Sequence, residues 1–314
     1  MKVAIFYHES FLKHLESYRH VESPERLRAI VNRLKSSPLK DSFEFIQPGP
    51  ATREQIEFAH EKSYVDSVLS LKVKEPVILD WGDTVATEHS IEAALRAAGA
   101  GVEACEMVLE GRFKRAFCAV RPPGHHAERS KAMGFCIFNN IAIAAYYLLE
   151  TKGFERVAIV DWDVHHGNGT ERIFSEDKRV LYISLHQYPH YPGTGSAGFT
   201  GIGSGVGYTL NIPMKFGSDS NDYIESFEKK VIPALEDYRP QFLLISAGFD
   251  AHEDDPLSGI RLKSKDFGRM TEMVVDVAER HSQGRVVSFL EGGYDVDALA
   301  EAVEYHISAL AGKT

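Results

Sequence analysis

Cysteine is nearly absent from this chain. Its 314 residues contain three, Cys105, Cys118 and Cys136, and no two form a Cys-x-x-Cys pair. That excludes a disulfide framework and makes a reducing cytoplasm the natural home. An excess of basic charge is missing too: the formal net charge is −10. A general nucleic-acid binder needs a basic face that releases counterions, so that class is excluded and only a local basic patch stays open. No apolar run approaches the roughly 20 residues that span a membrane. The opening Met1-Lys2-Val3-Ala4-Ile5-Phe6-Tyr7-His8 carries one Lys and too short an apolar run for a signal peptide, and reads as a first strand. Ser/Gly/Pro-rich linkers, charge blocks, low-complexity tracts and repeats are also missing, so residues 1–314 are assigned to a single domain.

What is there is a 44% apolar chain, enough for a large core. Strands are expected at Lys2–Tyr7, Phe43–Ile46, Arg115–Val120, Val157 onward, Val180–Leu185, Tyr208–Ile212, Phe242–Ala247 and Arg285–Leu290. Helical patterns lie between them. His8–Glu22 reads as irregular. Ser23-Pro24 starts a helix, Thr52, Ser63 and Ser264 read as caps, and Glu88–Leu109 is a long Ala-rich helix. Its Gly99 and Gly101 suggest close packing. Asn139–Glu150 is an apolar helix. Asp219 or Ser220 opens a helix that Pro233 is placed to kink, and Asp295 or Asp297 opens the last one. Strands alternate with helices, and the interior strands are unbroken apolar runs. This is the pattern of a mostly parallel sheet between helix layers.

Val157-Ala158-Ile159-Val160-Asp161-Trp162-Asp163-Val164-His165-His166-Gly167-Asn168-Gly169-Thr170 dominates the chain. It begins as a buried strand and turns polar where a parallel strand should end. Strand alternation puts Asp161, Asp163 and His165 on one face. Unpaired buried charge is too costly for such a cluster to be core, and strand carboxyl ends are where open α/β sheets bind ligands. Four strands end in polar clusters, at His125, Asp163, Asp250 and Tyr294, which would share one sheet edge. Asp163, His165 and Asp250 form a set of three metal ligands with room for water, although Asp250 alone could equally cap a turn. Zinc suits the set. Two carboxylates make it hard enough that Fe(II), Mn(II) or Co(II) are alternatives. His125 and His126, after a Pro-Pro-Gly turn and facing the metal candidate, read as acid–base groups.

Pro123-Gly124-His125-His126-Ala127, Gly134-Phe135-Cys136, Asp161-Trp162-Asp163-Val164-His165-His166-Gly167-Asn168-Gly169-Thr170, Tyr191-Pro192-Gly193-Thr194-Gly195, Ser246-Ala247-Gly248-Phe249-Asp250 and Leu290-Glu291-Gly292-Gly293-Tyr294 together resemble the zinc-dependent histone deacetylase family. The likeness covers nearly the whole chain. Trp162 and Asn168 make it more similar to the class II branch, prokaryotic members included. The resemblance implies the α/β three-layer arginase–deacetylase fold, with an eight-stranded, mostly parallel sheet. It implies zinc on Asp163, His165 and Asp250, His126 as base and acid, and His125 beside it, held by Asp161. Asn168 faces His126 where a carboxylate often stands, and a neutral amide raises an imidazole pKa less, so His126 is expected to stay neutral. Tyr294 is the implied oxyanion donor, though a Tyr after Gly-Gly could equally pack.

By the same resemblance Phe135 and Tyr191 line an acyl-lysine tunnel, with Gly134 and Gly292 in the substrate-binding set. Cys136 is expected to be a buried inert thiol. Asp83, in Asp80-Trp81-Gly82-Asp83-Thr84, would hold substrate backbone, or is simply a turn residue. Leu257 stands where the acetylpolyamine branch can carry a Glu gatekeeper, so an acyl-lysine or uncharged amide is favoured over a cationic polyamine. Structural potassium is implied at an inner site of Asp161, Asp163, His165, Ser184 and Leu185, and at an outer one of Phe174, Asp177, Val180 and Tyr208. A two-manganese ureohydrolase and a non-catalytic acyl-binding module are the competing readings. The sequence leaves the physiological substrate, acyl length, native metal and oligomeric state open, a homo-oligomer included.

Overall fold

Apolar β-branched runs bounded by turn residues become the strands, and their burial tells which are central. The computed structural model describes residues 2–80, 82 and 84–313, so Trp81 and the expected substrate contact Asp83 lie outside the described residues. The strands are β1 (Val3–Phe6), β2 (Phe43–Ile46), β3 (Val77–Ile78), β4 (Val85–Ala86), β5 (Arg115–Cys118), β6 (Val157–Asp161), β7 (Val180–Gln187), β8 (Thr209–Met214), β9 (Phe242–Ala247) and β10 (Val286–Leu290). β3 and β4 pair as a small antiparallel hairpin that the sequence pattern did not reveal. The other eight form one sheet in the order β2-β1-β5-β10-β9-β6-β7-β8, each pair parallel. Every residue of β5, β6, β9 and β10 is buried, whereas the edge strands β2 and β8 each carry partly exposed residues. A sheet covered on both faces requires this contrast.

Two helix groups flank the sheet. The helix Ser90–Leu109 packs with Asn140–Tyr146, and Val296–Leu310 packs between Ser264–His281 and Pro24–Ser36. The expected close approach at Gly101 is real: a Cβ there would lie 2.5 Å from the Phe289 ring of β10. Thr52 makes a full capping box with Gln55. Asp219 and Asp295 cap their helices as expected. Ser63 and Ser264 do not cap. They fall inside helices that begin at Lys62 and Ser264, with Glu61 and Lys263 at the cap positions. Ser23 occupies its cap position without a side-chain cap bond, leaving Pro24 to start the helix. His8–Glu22 is not wholly irregular, since Ser10–Lys13 is a helical turn.

Two expected continuous helices contain wide turns. Asn140–Tyr146 passes into a π turn over Tyr147–Thr151, and Ser220–Ser226 into another over Phe227–Val231 before Ile232–Tyr238. The second lies just ahead of Pro233. A proline offers no N–H to the preceding turn, and a π turn absorbs that loss without breaking the helix.

Candidate active site

β5, β10, β9 and β6 are neighbours in the middle of the sheet. These are the four strands whose ends read as polar. Their carboxyl ends therefore bring His125, Tyr294, Asp250 and Asp163 to one place, as convergence at a sheet edge requires.

Strand alternation does not produce this grouping by itself. β6 ends at Asp161, and the chain then bends through two side-chain-to-backbone bonds. Asp163 N–H donates to Asp161 Oδ1 at 3.1 Å, and His165 N–H to Asp163 Oδ1 at 2.8 Å. Short acidic side chains that bond the backbone two residues on are turn formers. The turns separate the acids by task. Asp161 faces His125, while Asp163 and His165 face Asp250.

His165 Nδ1 lies 3.1 Å from Asp163 Oδ1 and 3.1 Å from Asp250 Oδ2. Donor atoms of these three residues lie within 4.8 Å of one another, and they are the one such group among the described residues. The unused carboxylate oxygens are occupied: Gly292 N–H donates to Asp163 Oδ2 at 2.7 Å and Val164 N–H to Asp250 Oδ1 at 2.9 Å. Among the described residues, the side-chain ion-pair partners of the two aspartates are imidazoles alone. Burial works against charging His165, yet its bonds to Asp163 and Asp250 raise it to about 10. At Asp250, burial and the facing Asp163 push the carboxyl up. At Asp163, burial is outweighed by His125 and His165, and the carboxyl is held low. Two buried carboxylates that draw in a proton for lack of a counter-charge, with an imidazole nitrogen between them, are a donor set that fits a divalent cation.

The adjacent histidines have opposite surroundings. His125 Nδ1–H donates to Asp161 Oδ2 at 3.0 Å, and that oxygen also receives the Tyr182 hydroxyl at 3.0 Å. Burial opposes a charge on His125, but Asp161, Asp163 and Glu291 outweigh it and raise the ring to about 10. His126 Nδ1 faces Asn168 Oδ1 at 2.8 Å, the amide partner expected from sequence. Burial, followed by His125 and His165, drives His126 well below the usual histidine range. Burial pushes the Tyr294 phenol up, which keeps its proton available for donation.

A cavity of about 250 Å³ opens onto these groups. Phe135, Tyr191 and Leu257 wall it, Gly134 and Gly292 line it, and His125, His126, His165 and Tyr294 reach into it. Gly134 and Phe135 both take positive φ, +55° and +70°. A Cβ at Gly134 would stand 2.4 Å from the His126 ring, so only glycine lets this loop cover the imidazole. Phe135 holds a backbone that costs a non-glycine residue energy, a pattern seen where a side chain is aimed at a ligand. Cys136 is buried, its thiol pushed up by burial and bonded to Gly134 O at 3.3 Å, as expected of an inert thiol. A larger cavity, about 790 Å³, lies where β6, β7 and β8 begin, away from the four polar strand ends.

The profile of the histone deacetylase domain matches residues 20–310. A "probable deacetylase" of Archaeoglobus fulgidus is 40% identical, the alignment covering 99% of this chain and 87% of that protein. The chain belongs to the histone deacetylase domain family. Histone deacetylase 15 of Arabidopsis thaliana is 38% identical over 99% of this chain, which spans 57% of that longer protein. A crystal structure titled "HDA15 HD domain" superposes with a TM-score of 0.93 at 37% identity, covering 100% of this chain and 89% of that one. The eight-stranded parallel sheet between helices is thus that of a histone deacetylase domain.

Three features of this deacetylase-family site escaped the sequence reading. Glu291 is buried at the end of β10 and accepts the N–H groups of Gly124 and His125 at 2.7 and 3.1 Å, fixing the His-His turn from beneath. His190 stacks on His165 with centroids 5.0 Å apart and donates Nε2–H to Leu257 O at 3.0 Å. Glu22, Arg26 and Arg121 form a fully buried cluster. Arg26 bonds the carbonyls of Gly293 and Glu291 and places its guanidinium 5.0 Å from the Tyr294 ring centroid. Of the residues set apart for potassium, Asp161 and Ser184 are register partners across β6 and β7. Phe174, Asp177, Val180 and Tyr208 lie around the loop before β7, where Arg179 takes the Asp177 carboxylate.

Proposed function

We propose that this chain hydrolyses acyl amides, with acetyl-lysine in peptides or proteins as the best substrate, using one zinc ion held by Asp163, His165 and Asp250. The observation that carries the reading is the pairing of a neutral, Asn168-anchored His126 with a net-negative ligand triad in one aromatic-walled cavity. A bound zinc ion would supply Lewis acidity to the acyl carbonyl and lower the pKa of water. The chain's own groups do the rest. His126, with Nδ1–H on Asn168, presents the Nε2 lone pair, takes a proton from water and returns it to the departing amine. His125, charged against Asp161, offers positive potential beside it. Tyr294 donates its hydroxyl to the acyl oxygen as that oxygen gains charge. Phe135 and Tyr191 enclose an apolar stem, and Leu257 offers no charge to hold a polyamine cation.

Potassium at the two implied sites belongs to the same reading. So does a cytoplasmic location, which fits three buried free thiols. No described helix is long and apolar enough to cross a membrane. The test is a fluorogenic acetyl-lysine peptide with and without chelator, then with Zn(II), Fe(II), Mn(II) or Co(II) restored, beside acetylspermidine. Chelator-reversible turnover with the higher kcat/KM on the peptide supports the proposal. Faster cleavage of acetylspermidine overturns the substrate class, and turnover indifferent to chelator overturns the metal.

A further inference from the structure

A base must keep its lone pair where the substrate is, and for a histidine that depends on which nitrogen carries the proton. His126 Nδ1 meets Asn168 Oδ1 at 2.8 Å. An amide, unlike a carboxylate, can turn over. Flipped, it would present its NH2 group to Nδ1, force the ring proton onto Nε2 and leave no lone pair toward the cavity. Something must therefore hold the amide. Asn168 Nδ2 has weak acceptors in Met133 Sδ at 3.4 Å and His126 O at 3.5 Å, but its short bond is to Glu128 Oε1 at 3.0 Å, and a carboxylate can only accept. In the flipped amide two acceptors would face each other across that distance.

Glu128 is itself held. Its backbone bridges Lys131, with Glu128 N–H donating to Lys131 O at 3.1 Å. His60, buried, accepts Asn139 N–H on Nε2 at 2.9 Å, which leaves Nδ1–H to donate to Glu128 O at 2.9 Å. Burial keeps this ring neutral, lowering it to about 4, so its two nitrogens keep those opposite roles. Lys131 and Arg172 stand 3.4 and 3.7 Å from the Glu128 carboxylate on its outer side. Donation converges on Glu128 from both ends: His60 donates to its carbonyl, while His126 donates to Asn168 and Asn168 to its carboxylate.

The geometry points to Glu128 as a positioning residue that fixes the Asn168 amide and thereby the tautomer of His126. Glu128 touches neither substrate nor metal ligand; it acts through Asn168. The inference rests on the proposed role of His126 as base.

Glu128→Ala should lower kcat on acetyl-lysine peptide by about 10- to 100-fold, the scale on which loss of an outer hydrogen-bond partner acts, with KM changed by less than about twofold. Glu128→Gln, whose amide oxygen still accepts from Asn168, should retain most of the rate. In an Asn168→Asp background the same Glu128→Ala change should cause no further loss, because a carboxylate presents an oxygen to His126 whichever way it turns. Equal losses in both backgrounds, or wild-type kcat in Glu128→Ala, overturn the proposal. A readout independent of turnover is the 15N imidazole spectrum of His126 in the zinc-loaded protein. The expected result is one tautomer, protonated on Nδ1, in the wild type and a mixture in Glu128→Ala. An unchanged tautomer overturns the proposal. A tautomer that follows Glu128 in a protein inert toward acetyl amides would overturn only the functional reading.

Discussion

One cluster of buried charge in this molecule closes on itself, and another does not. Around Glu22, the guanidiniums of Arg26 and Arg121 meet the carboxylate, and their remaining N–H groups go to the carbonyls of Gly293, Glu291, Phe11, His14 and Glu22. Two guanidiniums share one carboxylate there, and carbonyls of the chain take the N–H groups it leaves over. In the triad, Asp163 and Asp250 face each other across His165, and no described Lys or Arg forms an ion pair with either. Both clusters are almost fully buried. The difference teaches that buried charge is architectural when opposite charges and carbonyls of the chain meet it, and marks a candidate binding site when like charges face each other.

The sharpest way to break that contrast is to remove one charge from each side. Asp250→Asn keeps an oxygen for Val164 N–H but loses a carboxylate of the proposed metal site. It should empty the site, reducing metal from about one ion per chain, and cut kcat/KM by on the order of a thousandfold, the several kcal/mol that Lewis-acid assistance supplies. Metal analysis and steady-state rates check this. Full metal content in the variant would make the triad as self-sufficient as the Glu22 cluster. Glu22→Gln should do the reverse, leaving metal content unchanged while destabilising the fold by about 3–5 kcal/mol, since two guanidiniums stay buried without their carboxylate. Urea denaturation reads it, and a loss below about 1 kcal/mol would erase the distinction.

The same cluster sets an acid limit. Burial opposes ionisation of Glu22, but Arg121, His14 and Arg26 outweigh burial and hold its carboxyl well below the ordinary value of 4.5. The unfolded chain therefore takes up that proton first. The stabilisation is complete above the unfolded carboxyl value and drains away as pH falls toward the folded one. His14, lowered by burial, acts in the same direction below its ordinary 6.5. The urea midpoint should fall as pH drops below about 4.5, and Glu22→Gln should flatten that fall. The smallest effect belongs to a pair outside both clusters. Arg28, exposed beside Glu25 and Glu16, should change stability by about 0–1 kcal/mol when made Ala.

The sequence carried more of the sheet than of the charge network. All eight main strands were legible because each is a short apolar run stopped by Gly, Pro or a polar cluster. The four polar stops proved to be neighbours. The β3–β4 hairpin was not legible, because two-residue strands with exposed Val77 and Ile78 carry no period. His125, His126, Asp163, His165, Asp250 and Tyr294 could be singled out because side chains able to bind a metal or move a proton cluster locally in sequence and sit at strand ends. The Glu22 cluster could not. Arg26 stands 4 positions from Glu22 but Arg121 stands 99 away, and a Glu or Arg in a chain reads as solvent-facing until the fold covers it. Glu128 hid for the same reason, a residue 20% exposed whose one inward bond goes to a side chain 40 positions later. Alternation along β6 grouped Asp163 with His165 by an incorrect path, since Asx-type turns, not pleats, bring the two together.

The proposed metal grip hangs from β6 and β9, the middle of the sheet, where no amide meets solvent from either face. Such strands exchange their hydrogens only when the whole molecule opens. The ligands therefore have no hinge of their own: heat should not loosen the ion gradually, but release it in the same cooperative event that melts the domain.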